Sequence, residues 1–215
     1  MSLKKIIKKS ANDIKKWGSF LYYTATLLLY CHTVGLSAAP SYRPYEHYLN
    51  SITTLSGNFT QVNSKGQRSS GTIQISRPGK MRLDYTPPSP LLIVADGEWL
   101  MTYDKQQDEV NYLTLDKTPA TFILRPHIRF QGDVMVTRFL PKDTTTEISL
   151  VRTEDPDAGY ITLVFNNKPI SLKEWSVVDA QGVETKVQLS DLKSNVTIPA
   201  EIFRINSPNL IQQIF

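Results

Sequence analysis

Apolar residues recur along this chain with two different periods. After a proline-containing entry at residues 41–44, Tyr45, Tyr48, Leu49, Ile52 and Leu55 fall at i, i+3, i+4, i+7 and i+10, which predicts an amphipathic helix stopped by Gly57. From Asn58 the period drops to two. The alternation predicts strands at Phe59–Val62, Gly71–Arg77, Lys80–Tyr85, Leu91–Ala95, Trp99–Tyr103, Val110–Leu115, Val134–Phe139, Glu147–Arg152, Tyr160–Phe165, Lys173–Asp179, Glu184–Leu189 and Ile202–Ile205. Asp96-Gly97, Ser64-Lys65-Gly66, Asp157-Ala158-Gly159, Asn166-Asn167 and Gln181-Gly182 separate strands with residues suited to positive φ. There is no internal repeat, low-complexity tract or dividing linker. The prediction is an α+β, mainly β domain: one antiparallel sheet, curled or nearly closed.

Two places depart from this alternation. "TPATFILRPHI" opens with Thr118 as a candidate N-cap and Pro119 at the first helical position, and stops before Pro126, which predicts a short and almost wholly apolar helix. It suits an ordinary connector packed on the core and equally a plug across the mouth of a curled sheet. The other departure is Arg77. It shares the parity of Ile73 and Ile75, so a permanent cation is directed to an apolar face.

Charge changes the picture only at the N-terminus. The formal charge of +4 arises because residues 1–39 hold six lysines against Asp13, and the remainder carries −1, so no basic footprint for nucleic acid remains. Those lysines lead into an apolar core, Trp17 to Tyr30, in a stretch that ends in the small residues Ser37, Ala38 and Ala39, the order of parts in a secretory signal peptide. Its length of about 14 residues is short of the roughly 20 that a spanning helix needs. The expected organisation is a signal peptide at 1–38, with Ala38 its last residue, and one domain at 39–215. Cys31, the only cysteine, lies inside the signal and follows Tyr30, where lipidation would want a small residue. The mature chain then has no disulfide, catalytic thiol or zinc thiolate.

Catalytic signatures are missing. The histidines are His32, His47 and His127, with no pair at metal-binding spacing, and there is no Gly-x-Ser-x-Gly elbow, phosphate-binding glycine loop or His-Glu-x-x-His motif. Neither a metal site nor a cofactor is expected, and no enzyme activity. The aromatic residues distributed through the strands suit core packing, or a hollow inner face that binds something apolar.

Several stretches together carry a resemblance. "GNFTQ", "SSGTIQISRPGKMRLDY", "LLIVADGEWLMTYD", the following "DEV", the "TP..FIL" segment and the late "FRINSP" occur in the order found in the periplasmic outer-membrane lipoprotein carriers, the LolA-type chaperones. The chain resembles that family over most of residues 39–215. The resemblance implies an unclosed antiparallel β-barrel with an N-terminal helix and a short lid helix over a hydrophobic cavity that takes lipoprotein acyl chains. It implies that Arg77 is a latch on the backbone of the lid, that Pro119, Phe122, Ile123 and Leu124 form the lid, and that Ile73, Ile75, Met81, Leu83, Trp99 and Met101 line the cavity. Met81 and Leu83 stand where better-known members have aromatic residues, and both remain apolar.

The implied partners are acylated lipoproteins, an inner-membrane ABC-type lipoprotein-releasing complex and an outer-membrane acceptor. The implied setting is the periplasm, with the protein a monomer. The short tail after Ile205 counts against efficient delivery to a separate receptor. A lipid- or lipoprotein-sensing module of the same fold, without transport, is the alternative expectation.

Overall fold

The computed structural model describes residues 41–118 and 120–205. The predicted signal peptide with Cys31 and His32, the lid residue Pro119 and the tail from 206 onward lie outside the described residues.

The first helix, α1, spans Arg43–Ser51, with Pro44 in its first turn where a missing N–H costs nothing. It ends earlier than the periodicity predicts. Ile52 is already extended, with φ −99° and ψ 112°, and Leu55 belongs to the next strand, opposite Ile75 on one side and Ser194 on the other. The β-branched Thr53 and Thr54, and two sheet neighbours for Leu55, favour the strand over a further helical turn. Gly57 therefore does not stop the helix. It lies inside the strand opposite an irregularity at Asp191, where a Cβ would come within 2.7 Å of Leu192 Cδ2 and 2.8 Å of the Ser190 carbonyl oxygen.

Eleven strands follow: β1 Thr54–Asn63, β2 Arg68–Ser76, β3 Lys80–Tyr85, β4 Leu91–Asp96, β5 Trp99–Asp104, β6 Glu109–Thr114, β7 Val134–Pro141, β8 Thr145–Arg152, β9 Gly159–Asn167, β10 Ile170–Asp179 and β11 Glu184–Ser194. They form one antiparallel sheet in the order β6-β5-β4-β3-β2-β1-β11-β10-β9-β8-β7. The two end strands, β6 and β7, are not paired with each other, so the sheet stays open. Residues 115–133 connect these two edges. This strap carries a 3₁₀ turn at Leu115–Lys117 and the short helix α2, Ala120–Leu124.

The predicted strand at Ile202–Ile205 is absent. Ala200–Phe203 is a 3₁₀ helix, because Ile202 and Phe203, adjacent in sequence, both pack on one apolar patch. A strand would send them to opposite sides.

The sheet has two apolar faces. The inner one holds Phe59, Ile73, Ile75, Met81, Leu83, Tyr85, Ala95, Ile148, Leu163, Phe165 and Trp175, covered by α1 and the strap. Strand register explains the clustering, since Ile73 faces Leu83 and Ile75 faces Met81 across β2 and β3. The outer face holds a smaller group, Leu92, Val94, Met101 and Phe203, under the C-terminal segment.

Candidate functional site

Arg77 follows β2 directly, and its side chain answers the problem of a cation on an apolar face. Its guanidinium Nη2 donates to the carbonyl oxygens of Leu49 and Ile52, and its backbone N–H donates to Thr53 O at 2.8 Å. These carbonyls stand at the C-terminal end of α1, where the helix leaves acceptors unpaired and carries partial negative charge. Burial lowers the guanidinium pKa, yet an arginine starts so high that it remains a cation at neutral pH. The resemblance implied the backbone of Pro119–Leu124 as acceptor. The observed acceptors are instead Leu49 in the last turn of α1 and Ile52 and Thr53 just after it.

The short helix α2 is fastened by other groups. The backbone N–H of Gly79, at φ 79° in the β2–β3 turn, donates to Leu124 O at 2.9 Å. Phe122, Ile123 and Leu124 are all buried in the inner core with Ile128 and Phe130 from the rest of the strap. Phe122 stacks on Phe130 at 6.0 Å, with the Arg125 guanidinium 5.3 Å from the Phe122 ring and paired to Asp133 at 2.6 Å. Thr118 turns its hydroxyl back to Leu115 O at 2.8 Å.

Two side chains of α1 join it to the strap. Asn50 donates through Nδ2 to Ile128 O and accepts at Oδ1 from Ile128 N–H, both at 2.8 Å, while Glu46 Oε1 accepts from Phe130 N–H at 2.6 Å. Aromatic packing completes the contact: Tyr42 and Tyr45 pack edge-on to Phe139, and Tyr45 and Tyr48 lie against Phe165. Burial raises the Tyr48 phenol, partly offset by a hydrogen bond with the backbone of Leu172. The inner face is thus closed by one assembly of α1 and strap, held to the β2–β3 corner through Arg77 and Gly79.

Of the six cavity residues the resemblance implied, Ile73, Ile75, Met81 and Leu83 lie together on the inner face, each buried. Trp99 and Met101 do not join them. Met101 pairs with Val94 and packs in the outer cluster, and Trp99 shares its parity, 37% exposed and edge-on to Tyr112 at 6.3 Å. The turn at Gly97 sets the phase of β5, so that Leu100 points inward in place of its two neighbours.

Sequence reasoning missed Glu46, Asn50 and Asn195. Asn195 sits just past β11 and accepts from Thr53 N–H at 2.9 Å while donating to Ser51 O at 3.0 Å. No periodicity marks a polar residue whose partner is a distant backbone group. Among the described residues no group of acidic, histidine or cysteine side chains is arranged to hold a metal, and His47 and His127 are exposed. No helix among them is long and apolar enough to cross a membrane.

The family model described as "Outer membrane lipoprotein carrier protein LolA" matches residues 50–206. An outer-membrane lipoprotein carrier protein of Legionella pneumophila (strain Lens) is 29% identical over 190 residues, covering 85% of this chain and 92% of the relative. A protein of the same description from Dechloromonas aromatica is 28% identical over 171 residues, covering 75% and 81%. Among solved structures, a LolA superfamily protein from Nitrosomonas europaea covers 78% of this chain and 99% of its own, at 11% identity and a TM-score of 0.43. With the family model spanning β1 through β11 and the end of α1, the chain belongs to the LolA family of outer membrane lipoprotein carrier proteins.

Proposed function

We propose that this protein is a periplasmic chaperone that shelters the acyl chains of lipoproteins leaving the inner membrane and carries them towards the outer membrane. The observation that carries this reading is the cover of the inner face. A connection between the two unpaired sheet edges lays Phe122, Ile123, Leu124, Ile128 and Phe130 on the core, and α1 beside it is held at one end by hydrogen bonds to main-chain oxygens. Such a cover exposes apolar surface when it lifts and needs no chemistry to do so.

Magnitudes favour a cover that exchanges with cargo. A hydrogen bond to a charged group contributes about 1.5–3 kcal/mol, so Arg77 stabilises the closed state without locking it. Burying three chains of about 15 methylenes at about 0.8 kcal/mol each would release roughly 36 kcal/mol gross. That exceeds the −18 to −21 kcal/mol or so at which non-covalent affinity saturates. Reopening the inner face offsets part of the gain, which is what a protein that must hand its cargo on requires. Ile73, Ile75, Met81 and Leu83 receive the chains, with an ABC-type releasing complex as donor and an outer-membrane acceptor as recipient.

Release from spheroplasts tests the reading. Purified protein added to spheroplasts supplied with ATP should bring newly made lipoproteins into the soluble fraction as a complex, and non-acylated versions should not appear there. No release, with an apolar dye still bound, would replace the carrier reading by a lipoprotein-sensing module.

A further inference from the structure

Arg77 accounts for only part of the attachment of α1. Its guanidinium and N–H occupy the carbonyls of Leu49, Ile52 and Thr53, all approached from the β2–β3 corner. The carbonyl of Ser51 lies in the same turn and is taken from the opposite side, by Asn195 Nδ2 at 3.0 Å. The Oδ1 atom of that amide accepts from Thr53 N–H at 2.9 Å and Thr53 Oγ1 at 3.1 Å, and Asn195 N–H donates to Thr54 O at 2.8 Å. The side chain of this one residue therefore bridges Ser51 at the helix end and Thr53, and its backbone N–H reaches the first residue of β1, across more than 140 positions of sequence.

The backbone of Asn195 has φ 56°, a left-handed conformation that asparagine adopts far more readily than most residues. It also lies beside an opening. A cleft of about 350 Å³ runs between α1 and the ends of β10 and β11, its lining shared between the apolar Tyr48, Leu55, Leu172, Leu189 and Leu192 and polar groups that include Lys173, Asp191 and Ser194, the neighbour of Asn195. Leu55 and Leu172 belong to the buried inner core, and Leu189 and Leu192 pack against it, so the cleft leads into that core. Its volume is at the lower end of the roughly 300–1,000 Å³ of small-molecule sites.

We propose that Asn195 is a positioning residue, a second fastening of α1 independent of Arg77, which sets how readily this cleft admits an apolar chain. The proposal rests on the carrier reading for its ligand class, but not for the fastening itself. Arg77 closes α1 against the corner that also holds the lid. Asn195 closes it against the opposite wall, at the cleft.

The test compares Asn195→Gly, Asn195→Asp and Arg77→Leu in the full chain. Glycine keeps the left-handed backbone and removes all three side-chain amide contacts, whereas aspartate keeps the acceptor for Thr53 and loses the donor to Ser51. Two measurements are made: amide hydrogen exchange, and the rate at which N-phenyl-1-naphthylamine enters the core. Asn195→Gly should speed exchange at residues 49–54 and dye entry by about five- to tenfold, as loss of neutral hydrogen bonds predicts. Dye bound at saturation should not change, and Asn195→Asp should fall between glycine and wild type. Its effect should multiply with that of Arg77→Leu. Entry at the wild-type rate in Asn195→Gly, or exchange raised evenly over the whole sheet, would overturn the second fastening. If the dye binds neither wild type nor variants, the carrier reading fails, while exchange at residues 49–54 still decides the role of Asn195.

Discussion

Both faces of this sheet are closed by chain that is not part of it, and on each an arginine of the sheet region grips main-chain carbonyls of the cover. On the inner face Arg77 holds the end of α1, with no carboxylate partner among the described residues. On the outer face Arg82 donates to Ile202 O at 3.0 Å and is itself paired with Asp84 at 2.8 Å, which Lys105 also meets at 2.6 Å. The outer arginine is held in place by its own ion pair with Asp84 and grips one carbonyl of a four-residue 3₁₀ helix. The inner arginine has only the carbonyls it grips, so when α1 leaves, nothing else in the fold occupies it. On the carrier reading proposed above, that difference fits an inner cover that moves and an outer one that stays in place.

The largest expected effect tests the cores beneath the two covers. Phe165 lies under the tyrosines of α1 and Phe203 plugs the outer cluster, and each is almost fully buried. Phe165→Ala and Phe203→Ala should each lower the unfolding free energy by about 3–5 kcal/mol in urea titrations. Only Phe165→Ala should alter binding of an apolar dye. Equal changes in dye binding would remove the distinction between the faces.

Replacing the arginines sharpens it. Arg77→Leu should cost about 1.5–3 kcal/mol, leaving the protein folded by circular dichroism while release and transfer of lipoprotein are impaired. Arg82→Leu should leave transfer as in wild type. Unchanged transfer by Arg77→Leu would sink the latch. A smaller, spectroscopic effect separates Trp175, in the inner core, from Trp99 on the outer face. With Trp17 replaced by Phe, brominated acyl chains should quench a protein retaining only Trp175 and leave one retaining only Trp99 bright.

Acid should reach the outer cover through Asp84. Burial raises the Asp84 carboxyl, but hydrogen bonds from Lys105 and Arg82, together with their charges, more than offset this and hold it below its ordinary value of 3.8. A depressed carboxylate contributes stability that is present above its unfolded pKa and is lost as pH falls through the folded one. Melting temperature should therefore decline modestly below about pH 4, less steeply in Asp84→Asn. The carbonyls gripped by Arg77 do not titrate, and the inner cover has carboxylates of its own in Glu46 on Phe130 N–H and Asp133 on Arg125, so Asp84→Asn should leave the pH profile of dye entry unchanged. An identical pH profile in Asp84→Asn would show that the outer network does not contribute.

The sequence by itself determined the periods. The alternation that marks β2 also fixed which of its residues share a face, because parity survives along a strand, and Ile73 and Ile75 were legible for that reason, while Met81 and Leu83, beyond the Pro78-Gly79 turn, were legible through the resemblance. The apolar run Phe122–Leu124 and the misplaced cation at Arg77 were legible as departures from a pattern. Tertiary structure decided what parity cannot carry across a turn: the phase of β5, which turned Trp99 and Met101 outward, and the end of α1, where Leu55 found strand partners on both sides. It also decided the acceptors of Arg77 and the grip of Asn195. Main-chain carbonyls occur at every residue and leave no mark in a sequence, so the choice among them belongs to the packing that brings residues 49–54, 77 and 195 to one corner.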